Sequence, residues 1–440
     1  RPGLVSGRMR EDTTNSVLYP NRRSDGSDRD TDGVSRRTLL AGSAAGAAAT
    51  AGCSGSVPGS GDTGDDGPGP STVYVFNTGD MTISVIDTDA DEVVATTYLG
   101  ATASFPSNQY LPGLLTDADD VVWLNVDQGV RAVSAGSLSE VASLDTGSGA
   151  NWQEVTPDGE HLVVSAREPA HTQYRVDADP SSDSFGEVTA ELDRTDEGGR
   201  GGNDGPGPCD VSIHPDGRYA YVPDIFGDTL TVVDYEAFEI VAQVSVDPVG
   251  DADAVAPWMN TVAWDGDTLL VENSGGDTGT ESIWDVSDPE APEEVARLTA
   301  DDGLGARPLT SEIGPDSEFG YVFTPGSDDV TVVDLGAREV AGRLDLGGSA
   351  FVGTWDPARE KLYVPVRGAD EVTVIDHAER AVVGTIPVGS KPYGATAGRV
   401  RPETDTSNDL LASLARLGVA LPGGGTTYCI GECACGHELR

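Results

Sequence analysis

The sequence predicts an all-β fold: a seven-bladed β-propeller of four-stranded antiparallel blades. Three observations predict it. One unit of four short β-patterns recurs along the chain, its period is about 40–50 residues, and a strand missing at the start of the array reappears at its end. Composition agrees, because 56 Gly and 27 Pro in 440 residues supply turns rather than long helices.

The repeat is clearest in DVSIHPDGRYAYVPDIFGDTLTVVDYEAFEIVAQVSV (210–246) and VGTWDPAREKLYVPVRGADEVTVIDHAERAVVGTIPV (352–388). Each reads as strand, Pro/Asp/Gly turn, strand, loop, strand ending in Asp, turn, strand. Alternation of Val, Ile and Tyr with polar residues over a few positions is the pattern of a half-buried antiparallel strand. Further copies fall at 113–144, 151–193, 258–299 and 308–346. The Asp ending the third strand recurs as Asp87, Asp234, Asp285, Asp334 and Asp376. Residues 72–99 supply only the second, third and fourth strands of a blade. The missing first strand is Lys391-Pro392-Tyr393-Gly394-Ala395-Thr396-Ala397. Pairing it with the N-terminal three closes the ring at seven blades and removes two open sheet edges.

These copies, YVPDIFGDTLTVVD and LYVPVRGADEVTVID with IPVGSKPYGATA, resemble the YVTN-type β-propeller repeat proteins of exported prokaryotic proteins. The resemblance spans about residues 72–398 and is specific for architecture. It implies a function among surface-layer and adhesion modules, lactonase-like enzymes and haem-binding propellers, without choosing between them.

Before the ring, the chain reads as an export signal (1–52) and a tether (53–71). Ser35-Arg36-Arg37-Thr38-Leu39-Leu40, followed by AGSAAGAAATAG, resembles a twin-arginine signal, and Thr50-Ala51-Gly52-Cys53 resembles a lipobox. Arg36 and Arg37 are then the export address and Cys53 the lipidated residue. A buried Ala-rich helix is the alternative. The segment 54–71, SGSVPGSGDTGDDGPGPS, has tether composition.

Charge narrows the partners. Against 74 Asp and Glu stand 27 Lys and Arg, a net charge of −47, and the lysines are Lys361 and Lys391 alone. Residues 1–37 hold 8 Arg and 6 acidic residues, so the remainder carries −49 (−47 minus +2). Nucleic acid, which needs clustered cations, is excluded as a partner. An acidic, lysine-poor surface suits molar salt, where the screening length falls to ~3 Å, and points to a halophile, an archaeon in character. The expected location is the outer face of the cell membrane, reached through a lipid anchor.

In a propeller the first strands line the channel, and the second-to-third and fourth-to-first connections share one face. The long insertions 100–112, 167–175, 194–208 and 247–257 fall on that face, where binding usually resides. First-strand alignment places Asn151, Trp152, Cys209, Asp210, Trp258, Met259, Thr310 and Tyr393 at the channel mouth. Arg167, His171, Asp224, Asn273 and Arg367 join them from the second-to-third connections. Aromatic walls, polar groups and two arginines suit a small polar or anionic ligand. The same aromatics would equally serve as a plug. Of the histidines, His214, His377 and His161 fall in repeated structural positions, and His171, beside Glu168 and Tyr174, is the one to examine for chemistry, although a charge-paired surface histidine is the reading favoured for it.

After the ring (399–440), Leu410, Leu411, Leu414 and Leu417 at helical spacing, with Gly418 as cap, predict a short helix after Thr406-Ser407-Asn408-Asp409. The tail then gathers Cys429, Cys433, Cys435 and His437, residue types suited to Zn²⁺ or Cu⁺. Their spacing fits no standard zinc finger, and a disulfide or unpaired thiols are open alternatives. The function expected from the whole is a ligand- or protein-binding scaffold at the cell surface. A channel-mouth enzyme, lactonase-like or redox, and a metal-handling protein using the tail are the competing readings.

Overall fold

The computed structural model describes residues 69–100, 109–126, 128–419 and 421. The positions Arg36, Arg37, Cys53, Cys429, Cys433, Cys435 and His437 lie outside the described residues. Seven antiparallel sheets follow one another as blades. In blade four the order from the axis outward is Ser212–Ile213, Tyr219–Asp224, Thr229–Asp234 and Glu239–Ser245. Blades three, five, six and seven repeat this order, with inner strands Ala150–Val155, Pro257–Val262, Ser311–Ile313 and Thr354–Trp355.

The ring closes as the sequence predicts. Pro392–Gly398 is the inner strand of blade one and pairs antiparallel with Thr72–Asn77, matching Val73 with Ala397 and Val75 with Ala395. The register slips between Phe76 and Asn77, so that Pro392, which has no N–H to give, faces Asn77 at the strand end. The Tyr74 hydroxyl donates to the Val400 carbonyl, and Arg399 N donates to Leu115 O at 2.8 Å, fixing the chain just beyond the closing strand.

Blade two differs from its neighbours. Its described strands are Val121–Val126, Gly129–Ser134 and Glu140–Asp145, and a helical turn, Leu111–Leu114, precedes them. Pro112 at the start of that turn fixes a helical φ and offers no donor to a ladder, so the sequence LPGL turns where a strand would otherwise begin.

In blades one, four, six and seven the Asp that ends the third strand holds the following turn. Its carboxylate accepts from the backbone N–H of Ala90 in blade one, Ala237 in four, Ala337 in six and Glu379 in seven. Four residues after each Asp, at Asp91, Phe238, Arg338 and Arg380, φ is positive (53°, 54°, 59° and 49°). This is the tight hairpin geometry that a short acceptor side chain stabilises.

The core is distributed between blades rather than gathered at a centre. Alternating strand faces build seven apolar layers, one per junction. Tyr74, Phe76, Val122 and Leu124 fill the junction of blades one and two, and Tyr363, Val374, Val73 and Ala395 that of seven and one. Side chains also stitch inner strands around the axis. Asn151 donates to Cys209 O, Ser212 to Asn260 O, Thr261 to Ser311 O and Thr310 to Phe351 O, each bond joining one blade to the next.

The helix Thr406–Arg416 starts four residues earlier than the leucine spacing alone indicates, because Asp405 caps it by accepting from Ser407 N. It packs on the outer strand of blade one, Glu92–Tyr98, through buried Ala412, with Leu410 and Leu417 exposed. Among the described residues, no helix is long and apolar enough to cross a membrane.

Candidate functional site

The inner-strand residues expected at the channel mouth do converge, and they form a plug. Cys209, Trp258, Met259, Leu309, Phe351, Val352 and Tyr393 make one buried apolar cluster with Trp152 against it. Phe351 and Tyr393 stack at 4.8 Å between ring centroids with planes 4° apart. Trp258 satisfies its indole N–H on Pro308 O at 3.1 Å. The aromatics therefore close the axis on the face that carries the long loops, which is the structural role that competed with a walled pocket.

The polar candidates divide into paired and unpaired groups. Asp224 accepts from Thr229, Thr231 and Arg194. Asn273 donates to Ser282 Oγ at 2.6 Å. In blades one and six, Asn77 and Thr324 occupy the same strand end and bond to the same third-strand positions. Asp224 and Asn273 are thus members of a repeated clamp between second and third strands, and the structure gives them that bonding role. The clamp was hard to see in sequence because its members differ chemically from blade to blade. Arg194, which the sequence did not single out, is fully buried and forked onto Asp224 and Glu197 at 2.7–2.9 Å. Removing one partner of such a buried pair leaves an uncompensated charge.

Arg167 is also fully buried. Its Nε lies 2.6 Å from the Glu168 carboxylate and its Nη1 3.7 Å from Cys209 Sγ. His171 sits beside it with φ 46°, 2% exposed, its ring edge toward Phe226, and burial lowers its pKa, so the imidazole is held neutral. His214 and His377 have structural roles as expected: His214 Nδ1 accepts from Asp216 N within its turn, and His377 Nδ1 meets the hydroxyl of Tyr321 in the neighbouring blade at 2.8 Å.

Arg367 stands apart from these. It extends from the second-to-third connection of blade seven, with its guanidinium 5.9 Å from the centroid of Tyr393. It is 7% exposed, yet its Nε and Nη1 find no acceptor among the described residues. Burial lowers its pKa, as expected for a cation held without a counter-charge.

Beneath the plug the channel is acidic. A small cavity of about 30 Å³, room for one water, is lined by Trp152, Glu154, Asp210, Ser212, Asn260 and Glu312 among others. Asp210 accepts from Val211 N and Asn260 N at 2.7 and 2.8 Å, and Glu154 from Ile213 N. Burial raises all three carboxyls, Asp210 and Glu312 to about 8 and Glu154 well above the usual range. Asp210 was expected at the mouth; it belongs to this inner chamber.

These raised values predict a pH dependence. A carboxyl that binds its proton more tightly when folded stabilises the fold fully below its unfolded pKa of about 4, and that contribution is lost as pH rises toward about 8. Asp87 and Asp285, lowered by hydrogen bonds to Arg401 and Ser287, act in the opposite sense, and only at the acid end. In molar salt, where surface repulsion is screened, the melting temperature is expected to fall from about pH 5 to pH 8. Glu312→Gln should flatten that slope, and a slope identical to wild type would refute the buried-proton account.

Two adjoining depressions of about 350 and 520 Å³ lie on the loop face beside blades four and five, sharing Asp251, Ala252, Ala254, Gly275, Gly276 and Asp277. Their aspartates repel anions, and Arg200, which lines the second, is paired with Asp228, so these depressions suit an anion less well than the Arg367 guanidinium does.

With this geometry in hand, comparison with known proteins adds the fold's relatives. No protein-family model and no curated protein sequence matches the chain. Solved structures do match in fold. A protein of Lactobacillus plantarum is 14% identical, with a TM-score of 0.57 over 74% of this chain and 99% of its own. A proposed 6-phosphogluconolactonase of Bacteroides uniformis is 12% identical, with a TM-score of 0.57 and the same coverage. A periplasmic gluconolactonase of Pseudomonas aeruginosa is 16% identical, with a TM-score of 0.55 over 75% of this chain and 99% of its own. The chain is a seven-bladed propeller. At these identities the likeness establishes architecture and leaves function to the site.

Proposed function

We propose that this chain is a ligand-binding propeller, exported and tethered outside the membrane, whose loop face holds a small anion on Arg367. The observation that carries this reading is the nearly buried guanidinium beside Tyr393, two of whose nitrogens find no acceptor among the described residues. Burying an unpaired charge costs several kcal/mol. A carboxylate or phosphate ester would offset it with charge-assisted, forked hydrogen bonds. The plug supports binding at the mouth rather than passage through the channel. The signal-like leader, the lipobox-like Cys53 and the acidic surface support an exported, salt-adapted protein, and the repeats support a YVTN-type relationship.

The test is calorimetric titration with a panel of small carboxylates and phosphate esters, in wild type and Arg367→Gln. A charge-assisted hydrogen bond contributes about 1.5–3 kcal/mol, so the variant should lose roughly 10- to 100-fold in affinity. Arg367→Lys, which keeps charge but not the fork, should fall between. Equal affinity in all three would refute the assignment. One of the similar folds is described as a 6-phosphogluconolactonase and one as a gluconolactonase, and a hydrolysed lactone is itself a carboxylate that Arg367 would hold. Acid release from gluconolactone faster than its spontaneous hydrolysis, and falling to that background in Arg367→Gln, would move the protein to the enzyme reading.

A further inference from the structure

Blade five carries a pair of residues that breaks the repeat. Glu272, next to last in the second strand, faces Glu281 across the ladder, so both side chains lie on one side of the sheet. Strand alternation puts them on the side of Leu270 and Ile283, whose apolar layer is shared with blade six. The matching pairs elsewhere are Phe76 with Ile83, Pro223 with Leu230, Phe323 with Val330 and Pro365 with Val372, apolar in blades one, four, six and seven. Blade two has Asn125 with Val130 and blade three Ser165 with Gln173, where Asn125 and Ser165 bond across to the next blade's inner strand.

Glu272 and Glu281 are both 0% exposed. None of their four carboxyl oxygens accepts a hydrogen bond of normal length and angle from a described residue. The Ser311 hydroxyl of blade six is a polar neighbour that favours ionised Glu272, and Arg297, already forked onto Glu294, bears on Glu281 from farther out. Buried polar oxygens are satisfied in native proteins, so four orphaned acceptors facing each other in an apolar layer call for a shared partner. The donor chemistry is all oxygen and the charge of the ionised pair is −2. That combination suits a hard divalent cation better than a soft transition metal.

We infer that Glu272 and Glu281 form a buried cation site between blades five and six, taking one Ca²⁺ with the Ser311 hydroxyl as an auxiliary ligand. The alternative occupant is a proton, with the pair sharing it as coupled carboxyls. A bound Ca²⁺ would lock two blades together from within, independently of what the loop face binds.

The experiment compares the full chain with the double variant Glu272→Gln and Glu281→Gln, both in molar NaCl after chelator treatment. Wild type should retain about one Ca²⁺ per chain after Ca²⁺ loading and desalting, and melt several degrees higher than its chelated form. The double variant should retain none above background and melt at the same temperature with and without Ca²⁺. Equal retention in both would place the ion on surface carboxylates and overturn the proposal. Should the variant fail to fold, the wild-type stoichiometry decides alone: retained Ca²⁺ far below one per chain overturns the site and leaves the pair a shared-proton couple.

Discussion

Deletion of residues 391–440 is expected to unfold the whole propeller, whereas deletion of 402–440 leaves it folded. The longer deletion removes the inner strand of blade one, with buried Tyr393, Ala395 and Ala397 and the ladder to Thr72–Asn77. It also removes Tyr393 from the plug and Val400 from the layer between blades one and two. A fully buried large apolar side chain contributes about 1.5–3 kcal/mol, and opening the ring exposes two sheet edges. Together these losses are comparable to the roughly 5–15 kcal/mol that holds a typical domain folded. The shorter deletion takes a helix that buries Ala412 and the Glu403 N to Gly136 O bond. Melting in molar salt, followed by far-ultraviolet circular dichroism, should show a cooperative transition for the shorter deletion only. Equal melting temperatures for both truncations and the full chain would contradict the closure.

Removal of salt is expected to have an effect of the same order. With −49 on the part after residue 37, repulsion between carboxylates reaches ~30 Å at 0.01 M salt and ~3 Å at 1 M. Cationic relief is sparse and largely committed: Arg194 to Asp224 and Glu197, Lys361 to Asp91, Arg401 to Asp87. Dialysis below a few tenths molar NaCl should therefore unfold or aggregate the protein cooperatively, and return of salt should reverse it. A melting temperature constant from molar salt to dilute buffer would refute the halophilic reading.

The architecture was legible because the repeat states each blade several times over. A strand pattern that is ambiguous once becomes firm when Asp87, Asp234, Asp334 and Asp376 all end it before the same turn. Closure was legible for the same reason, since a blade beginning at its second strand requires its first elsewhere. The departure in blade two followed from Pro112, a single local residue that register matching passes over. The site was less legible. Inner-strand alignment brought Trp152, Trp258 and Tyr393 together in space, but which arginine lacks acceptors among the described residues depends on side-chain placement that sequence spacing does not show. Arg167 is answered by its neighbour Glu168 and Arg194 by Asp224, thirty residues away, while Arg367 meets an aromatic ring. The Glu272–Glu281 pair had a sequence signal that went unread: two acids at positions where four other blades carry apolar residues.

The central claim, an anion held at the channel mouth, is tested most directly by soaking crystals of the full chain in selenate and mapping its anomalous scattering. A selenium peak is expected beside the Tyr393 ring, placed so that selenate oxygens lie about 2.7–3.2 Å from Arg367 Nε and Nη1. Peaks at exposed arginines such as Arg218, with none at Arg367, would contradict it.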